Sequence, residues 1–172
     1  MVAAVLGKDR KATAEFIELH ADAVFSYVSR RLAPRHDLVD DVVQEVFLDA
    51  WQTLQKFRGQ SSVRTWILGI ARHKVQDVYR ARLRTFQALD QDETLIPTVP
   101  AGFDVRQEQL GEAQHIQAVL AALPEPYRLA LLWRYWEQRS TADMALQTGK
   151  TEKAMERLLA RAREQFRRCY GE

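Results

Sequence analysis

Apolar residues recur along the chain at helical rather than strand spacing. Phe16, Leu19, Ala23, Tyr27 and Leu32 follow one another at intervals of three to five and predict a helix from about residue 11 to Leu32, closed by Pro34. Leu38, Val42, Val46, Ala50 and Leu54 step by four, predicting a second helix from about Asp37 to Gln55. Gly59 interrupts; Ser61 or Ser62 can cap a third helix, whose apolar face of Val63, Trp66, Ile67, Ile70, Val75 and Val78 runs to about Leu83. From Arg84 to about Gly102 the pattern lapses into acidic residues with Pro97 and Pro100, which resist continuous helix.

Beyond that stretch a helix begins near Asp104, with Leu110, Ala113, Ile116, Val119 and Leu123 on one side. Pro124 and Pro126 mark a turn before the apolar string from Tyr127 to Trp136. Ser140-Thr-Ala-Asp143 has the build of a capping box opening a short helix to Gln147; Thr148-Gly149-Lys150 turns the chain, and Thr151 opens a last helix to about Cys169. No strand-like alternation of useful length occurs. The fold class is therefore all-α: two small helical domains, residues 10–85 and 104–170, joined by a flexible acidic linker at 86–103.

The formal net charge of +2 hides a division. Residues 1–85 carry +4, residues 86–111 carry −4 and residues 112–172 carry +2. Residues 56–84 hold Lys56, Arg58, Arg64, Arg72, Lys74, Arg80, Arg82 and Arg84 against Asp77 alone, the densest positive stretch. Upstream of it, Asp37, Asp41 and Glu45 lie at successive fours with Asp40, Gln44 and Asp49 beside them, so one helix face is acidic. Taken alone, such a face reads as a solvated one.

The helix–turn–helix at 140–169 has a chemistry of its own. A second helix standing proud of a domain can enter a major groove about 12 Å wide, while flanking cations hold phosphates. Its exposed candidates are Lys153, Glu156, Arg157, Ala160 and Arg161, with Arg163, Arg167 and Arg168 further along. Near the basic stretch, Phe57 and Trp66 flank the loop Arg58 to Ser62, and an aromatic beside cations can stack an unpaired base at about 1–3 kcal/mol per base.

Enzymatic chemistry finds no carrier. His20, His36, His73 and His115 lack metal-protease spacing, no phosphate-binding glycine loop occurs, and the single cysteine, Cys169, stands without a motif. No catalytic residue, metal ligand or cofactor is expected. With 47% hydrophobic residues among 172, one cysteine, no apolar leader and no membrane-length apolar run, a soluble cytoplasmic protein with no membrane insertion of its own is expected.

These strings amount to a resemblance. Val42-Val-Gln-Glu-Val-Phe-Leu-Asp-Ala-Trp51, Phe57-Arg-Gly-Gln-Ser-Ser-Val-Arg-Thr-Trp66 and Ile70-Ala-Arg72 resemble the second conserved region of bacterial sigma factors of the extracytoplasmic-function class. Leu123-Pro-Glu-Pro-Tyr-Arg128, Leu131-Leu-Trp-Arg-Tyr135 and Arg161-Ala-Arg-Glu164 are similar to the fourth region of that family. The resemblance implies a transcription initiation factor that directs core RNA polymerase to promoters. It implies that Asp40, Asp41, Gln44, Glu45 and Leu48 dock on the clamp of the largest polymerase subunit; Phe47 and Trp51 themselves read as core residues rather than contacts. Phe57, Arg58, Gln60, Ser61, Ser62, Arg72 and His73 are implied to capture the melted minus-ten element, Trp66 being a packing residue. Lys153, Glu156, Arg157, Ala160 and Arg161 are implied to read the minus-thirty-five element. The flap of the second polymerase subunit and an anti-sigma protein are the further partners implied.

Three positions depart from the family pattern. His73 stands where many relatives carry asparagine, Glu156 where a cation is usual, and Leu158 where arginine is frequent. A carboxylate at 156 is repelled by phosphate yet can accept from a cytosine amino group, so weak binding and a changed sequence preference both stay open. The rival reading is a one-component helix-turn-helix regulator that acts as a dimer on palindromic duplex DNA.

Overall fold

The computed structural model describes residues 2–86 and 111–171. The linker expected at 86–103, apart from Phe86, and the helix start expected near Asp104 with Leu110 lie outside the described residues. Two compact units are present, Met1–Asp77 and Val78–Glu172. The division falls within one helix, upstream of the residue-85 boundary that the sequence suggests. Among the described residues there is no strand.

The first unit holds α1 (Val2–Leu6), α2 (Arg10–Leu32), α3 (Val39–Thr53) and the first part of α4 (Val63–Thr85). The α2 helix starts where the Asp9 carboxylate accepts from the amides of Lys11 at 2.8 Å and Ala12 at 3.0 Å, a cap worth about 1 kcal/mol. Phe16, Val24, Val28 and Leu32 of α2 are buried, and α2 packs on α3, which buries Val39, Val42, Val46 and Ala50. Ile67, Ala71 and Val75 contribute the inward face of α4. Burying each such valine- or leucine-sized side chain is worth roughly 1.5–3 kcal/mol, so the period of four is what selects the faces that pair.

Two details differ from the sequence reading. The five-residue α1 is too short to show a period, and it was not expected. The continuous helix expected from Asp37 to Gln55 is an α-helix between two 3₁₀ turns, His36–Leu38 and Leu54–Lys56. At the first turn the Arg35 guanidinium donates to both oxygens of Asp37, at 2.8 and 2.6 Å, which closes the chain tightly before α3 begins.

The second unit contains α5 (Glu112–Ala122), α6 (Glu125–Leu131), a π-helical turn (Leu132–Trp136), α7 (Thr141–Thr148) and α8 (Glu152–Tyr170). Only Pro124 lies outside a helix as expected. Pro126 sits in the first turn of α6, where its missing N–H has no partner to lose. Ser140 Oγ accepts from the Asp143 amide at 3.0 Å and Thr151 Oγ1 from the Ala154 amide at 3.1 Å, so both helices of the helix–turn–helix start at the expected caps. Between them Gly149 has φ +72°, the left-handed conformation that ends α7. The α8 helix packs on α5, α6 and α7 through Ala154, Met155, Leu158, Leu159 and Ala162.

Candidate polymerase and promoter interfaces

Burying Val42, Val46 and Ala50 leaves the opposite side of α3 to solvent. Asp40, Asp41, Gln44, Glu45 and Leu48 are all exposed, Leu48 by 60%. Trp51 is 48% exposed, so its expected place in the core is corrected; Phe47 is half-buried. Trp51 lies three residues past Leu48, next along the same stripe, because the core side at this level is already filled by Ala50 and Leu54. Beside it a hollow of about 270 Å³ is lined by Val5 and Leu6 of α1 with Trp51, Gln52 and Leu54.

The carboxylates of this face are not equivalent. Asp37 is taken by Arg35. Lys74, on α4, lies 2.9 Å from Asp49 and 3.4 Å from Glu45. The hydrogen bond to Asp49 is the main reason the Lys74 ammonium holds its proton above the usual lysine range, partly offset by burial. Asp40 and Asp41 have no ion pair among the described residues. A row of like residues in sequence thus resolves into two carboxylates open to a partner and others already compensated.

In the next segment, the Phe57 and Trp66 rings pack with centroids 5.2 Å apart and both are half-buried, which gives Trp66 the packing role expected. Gly59, at φ +70°, turns the loop between them. Arg58, Gln60, Ser61 and Ser62 are exposed. Ser62 Oγ accepts from the Thr65 amide at 3.0 Å and caps α4, while Ser61 Oγ reaches only the Ser62 carbonyl at 3.2 Å. Arg72 and His73 are exposed on α4, roughly 15 Å along the helix from Ser62 at 1.5 Å per residue.

On α8, Lys153, Glu156, Arg157 and Ala160 are exposed and Arg161 is half-buried, on the side away from Met155, Leu158 and Leu159. Leu158 is 1% exposed, so the missing arginine there is a core residue and not a lost groove contact. Arg168 pairs with Glu164 at 2.7 Å. Arg163 donates to the Leu159 carbonyl at 3.1 Å and approaches the Tyr135 hydroxyl at 3.4 Å.

A feature that periodicity did not disclose lies under Arg163. An apolar hollow of about 580 Å³ is lined by Ile116 and Leu120 of α5, Leu131, the π-turn residues Leu132, Tyr135 and Trp136, and Phe166 of α8, with Arg163 and Arg167 also lining it. The π-helical turn widens the helix, with Glu137 N–H donating to Leu132 C=O at 3.0 Å. It buries Trp133 while leaving Tyr135 and Trp136 53% and 41% exposed. Three aromatics within four residues were the only sequence trace of it.

No helix among the described residues is long and apolar enough to cross a membrane, and no group of three metal-ligating side chains occurs among them.

Comparison with known proteins matches residues 16–85 to Sigma-70 region 2 and residues 113–166 to Sigma-70, region 4. The chain is 30% identical over 159 residues to the RNA polymerase sigma factor NccH of Alcaligenes xylosoxydans xylosoxydans, covering 90% of this chain and 84% of that one. It is 29% identical over 145 residues to the ECF RNA polymerase sigma-E factor of Escherichia coli K12, covering 80% and 75%. Among solved structures, the sigma factor RpoE in complex with the anti-sigma factor NepR from Bartonella quintana is similar at a TM-score of 0.45 and 23% identity, over 91% of this chain and 95% of that one. The dimeric one-component regulator is not favoured by these relatives. With both regions present in order, the chain belongs to the sigma-70 family of RNA polymerase sigma factors, as a transcription initiation factor of the extracytoplasmic-function class.

Proposed function

We propose that the exposed stripe of α3 docks on the clamp of the largest subunit of core RNA polymerase. The observation that carries this reading is the stripe's composition: Asp40 and Asp41 without an ion pair among the described residues, then Gln44, Glu45, Leu48 and Trp51 on one exposed side. A partner that is basic at one end and apolar at the other satisfies such a stripe; water satisfies only its first half. The loop at 57–62 and the following face of α4, through Phe57, Arg58, Gln60, Ser61, Arg72 and His73, then hold the nontemplate strand of the minus-ten element. Ser62 takes part by fixing the start of α4.

In the second unit, α8 enters the major groove of the minus-thirty-five element with Lys153, Glu156, Arg157, Ala160 and Arg161. The apolar hollow at Tyr135 and Trp136 suits an inserted apolar ridge, and the flap of the second polymerase subunit is the occupant we assign to it. An anti-sigma protein that covers these surfaces would silence the factor. The polymerase supplies the chemistry, and this chain supplies address and strand opening.

The test is affinity for core polymerase. Asp41→Lys with Glu45→Lys, and separately Trp51→Ala, should each weaken core binding by about tenfold or more, as desolvated anchors typically do, while helical content stays unchanged. Unchanged affinity in both would remove α3 from the interface. Arg58→Ala with Gln60→Ala should instead depress open-complex formation on duplex promoters, with partial rescue on a template already melted at the minus-ten element. Equal defects on both templates would take the loop out of strand capture.

A further inference from the structure

Gly69 sits inside α4, six residues after its first residue and sixteen before its last. A helix-interior glycine is unfavourable against alanine by about twofold to fivefold in the folding equilibrium, because its backbone has more freedom to lose. Two local reasons could justify it, and neither is present among the described residues. Its φ is not in the left-handed range that favours glycine, and a Cβ built on it meets no heavy atom of the described residues within 4 Å, so no neighbouring element needs the space.

Its position in the turn is informative. At about 100° per residue, Gly69 lies some 160–200° around α4 from Ile67 and Ala71, which are both fully buried. It therefore lies opposite the buried side of α4, itself half-buried. One turn before it is Thr65 and one turn after it are Arg72 and His73, all exposed. Glycine is the residue that lets another backbone come close to a helix, and among the described residues no such neighbour is present.

We infer that Gly69 is the point at which the unpaired minus-ten strand comes closest to the backbone of α4, the missing side chain making room for a sugar–phosphate or base edge between Thr65 and the Arg72–His73 pair. The inference rests on the reading that this face holds the strand. It adds a specificity-setting position between the loop and Arg72 that has no charge and no hydrogen-bonding side chain. A Cβ there would be tolerated by the protein and rejected by the nucleic acid.

That opposition of signs is the test. Gly69→Ala and Gly69→Val are made in the full chain, assembled with core polymerase, and titrated with a single-stranded oligonucleotide carrying the nontemplate minus-ten sequence. Thermal unfolding of the free chain and affinity for core are measured in parallel. The expected result is an alanine variant with a higher Tm, unchanged core affinity and strand binding weakened by about tenfold, the valine variant binding the strand more weakly still, since overfilling a close contact typically costs five- to hundredfold. Unchanged strand affinity in both variants overturns the inference, as does a loss confined to core affinity or a Tm lowered by alanine. The Arg58→Ala and Gln60→Ala pair serves as the reference. If it loses strand affinity while the Gly69 variants do not, only the role of Gly69 fails; if neither does, the placement of the strand on this surface fails.

Discussion

Removing the Lys74 ammonium should lower stability and strengthen polymerase docking at the same time. Lys74 joins α4 to α3 by an ion pair at 2.9 Å to Asp49 and another at 3.4 Å to Glu45, with its own side chain only 20% exposed. Asp49 and Glu45 keep 43% and 58% exposure, so they can rehydrate when the lysine is gone, and the loss is smaller than for a fully buried pair. Between the 0.2–1 kcal/mol of exposed pairs and the 1.5–3 kcal/mol of charge-assisted buried bonds, Lys74→Met should cost about 1 kcal/mol, or roughly 4–8 °C in Tm for a unit of this size. Methionine keeps the apolar stem packed, which isolates the charge. Because the folded state holds the Lys74 proton more tightly than the unfolded chain, the contribution is fully present below pH 10.5 and is lost as pH rises through the higher folded value. The same substitution frees Glu45 beside Asp41, so affinity for core polymerase should rise at low salt and converge on the parent at high salt. Denaturant melts at several pH values and a salt series of core binding are sufficient. A variant with unaltered stability, or with weakened core binding at low salt, would refute the view that Lys74 compensates the docking face.

His20, 6% exposed and set edge-on to Phe16 with centroids 5.0 Å apart, has its pKa lowered by burial first and by the charge of Arg64 second. The unfolded chain therefore takes up a proton before the folded one does, so stability should decline as pH falls below 6.5, by at most about 1.4 kcal/mol per pH unit from this group, and His20→Leu should flatten that decline in melts run from pH 7.5 to 5. A parent and a variant with parallel pH profiles would exclude His20 as the source. At the other end of the chain, Glu156→Lys should raise affinity for duplex DNA and steepen its salt dependence by about one released counterion if residue 156 faces phosphate, or relax the preference at one base pair if it reads a cytosine. No change in affinity, salt slope or preference would mean that the groove-facing side of α8 is rotated from the one assigned.

Periods of three to five in the apolar residues were enough to place α2, α3 and α4, and caps with a glycine turn placed α7 and α8; in α2 the period marked the helix but not its buried face, since Leu19 is 62% exposed while Val24 and Val28 are buried. Caps are local too: Ser62, Ser140 and Thr151 bond to amides three residues ahead, so Ser140 and Thr151 were legible before any packing was known, while the choice between Ser61 and Ser62 fell to Ser62 only in the structure. The family could likewise be read from contiguous strings, and the candidates named on α8 are exposed apart from the half-buried Arg161. Other features were settled only by elements distant in sequence. Trp51 looks like core by its composition, yet α3 has just one inward side and Ala50 and Leu54 fill it, so the indole is left on the exposed stripe. Asp37, Asp41, Glu45 and Asp49 are alike as letters, and only the arrival of Arg35 and of Lys74 from α4 separates the compensated carboxylates from the open one at Asp41. The hollow at Tyr135 and Trp136 depends on a π-helical turn and on α5 and α8 lying alongside it, and no repeat along the chain encodes that. Local bonding and periodicity belong to the sequence because they act over a few residues; which charges remain unpaired and which apolar side chains remain uncovered are decided by what packs beside them.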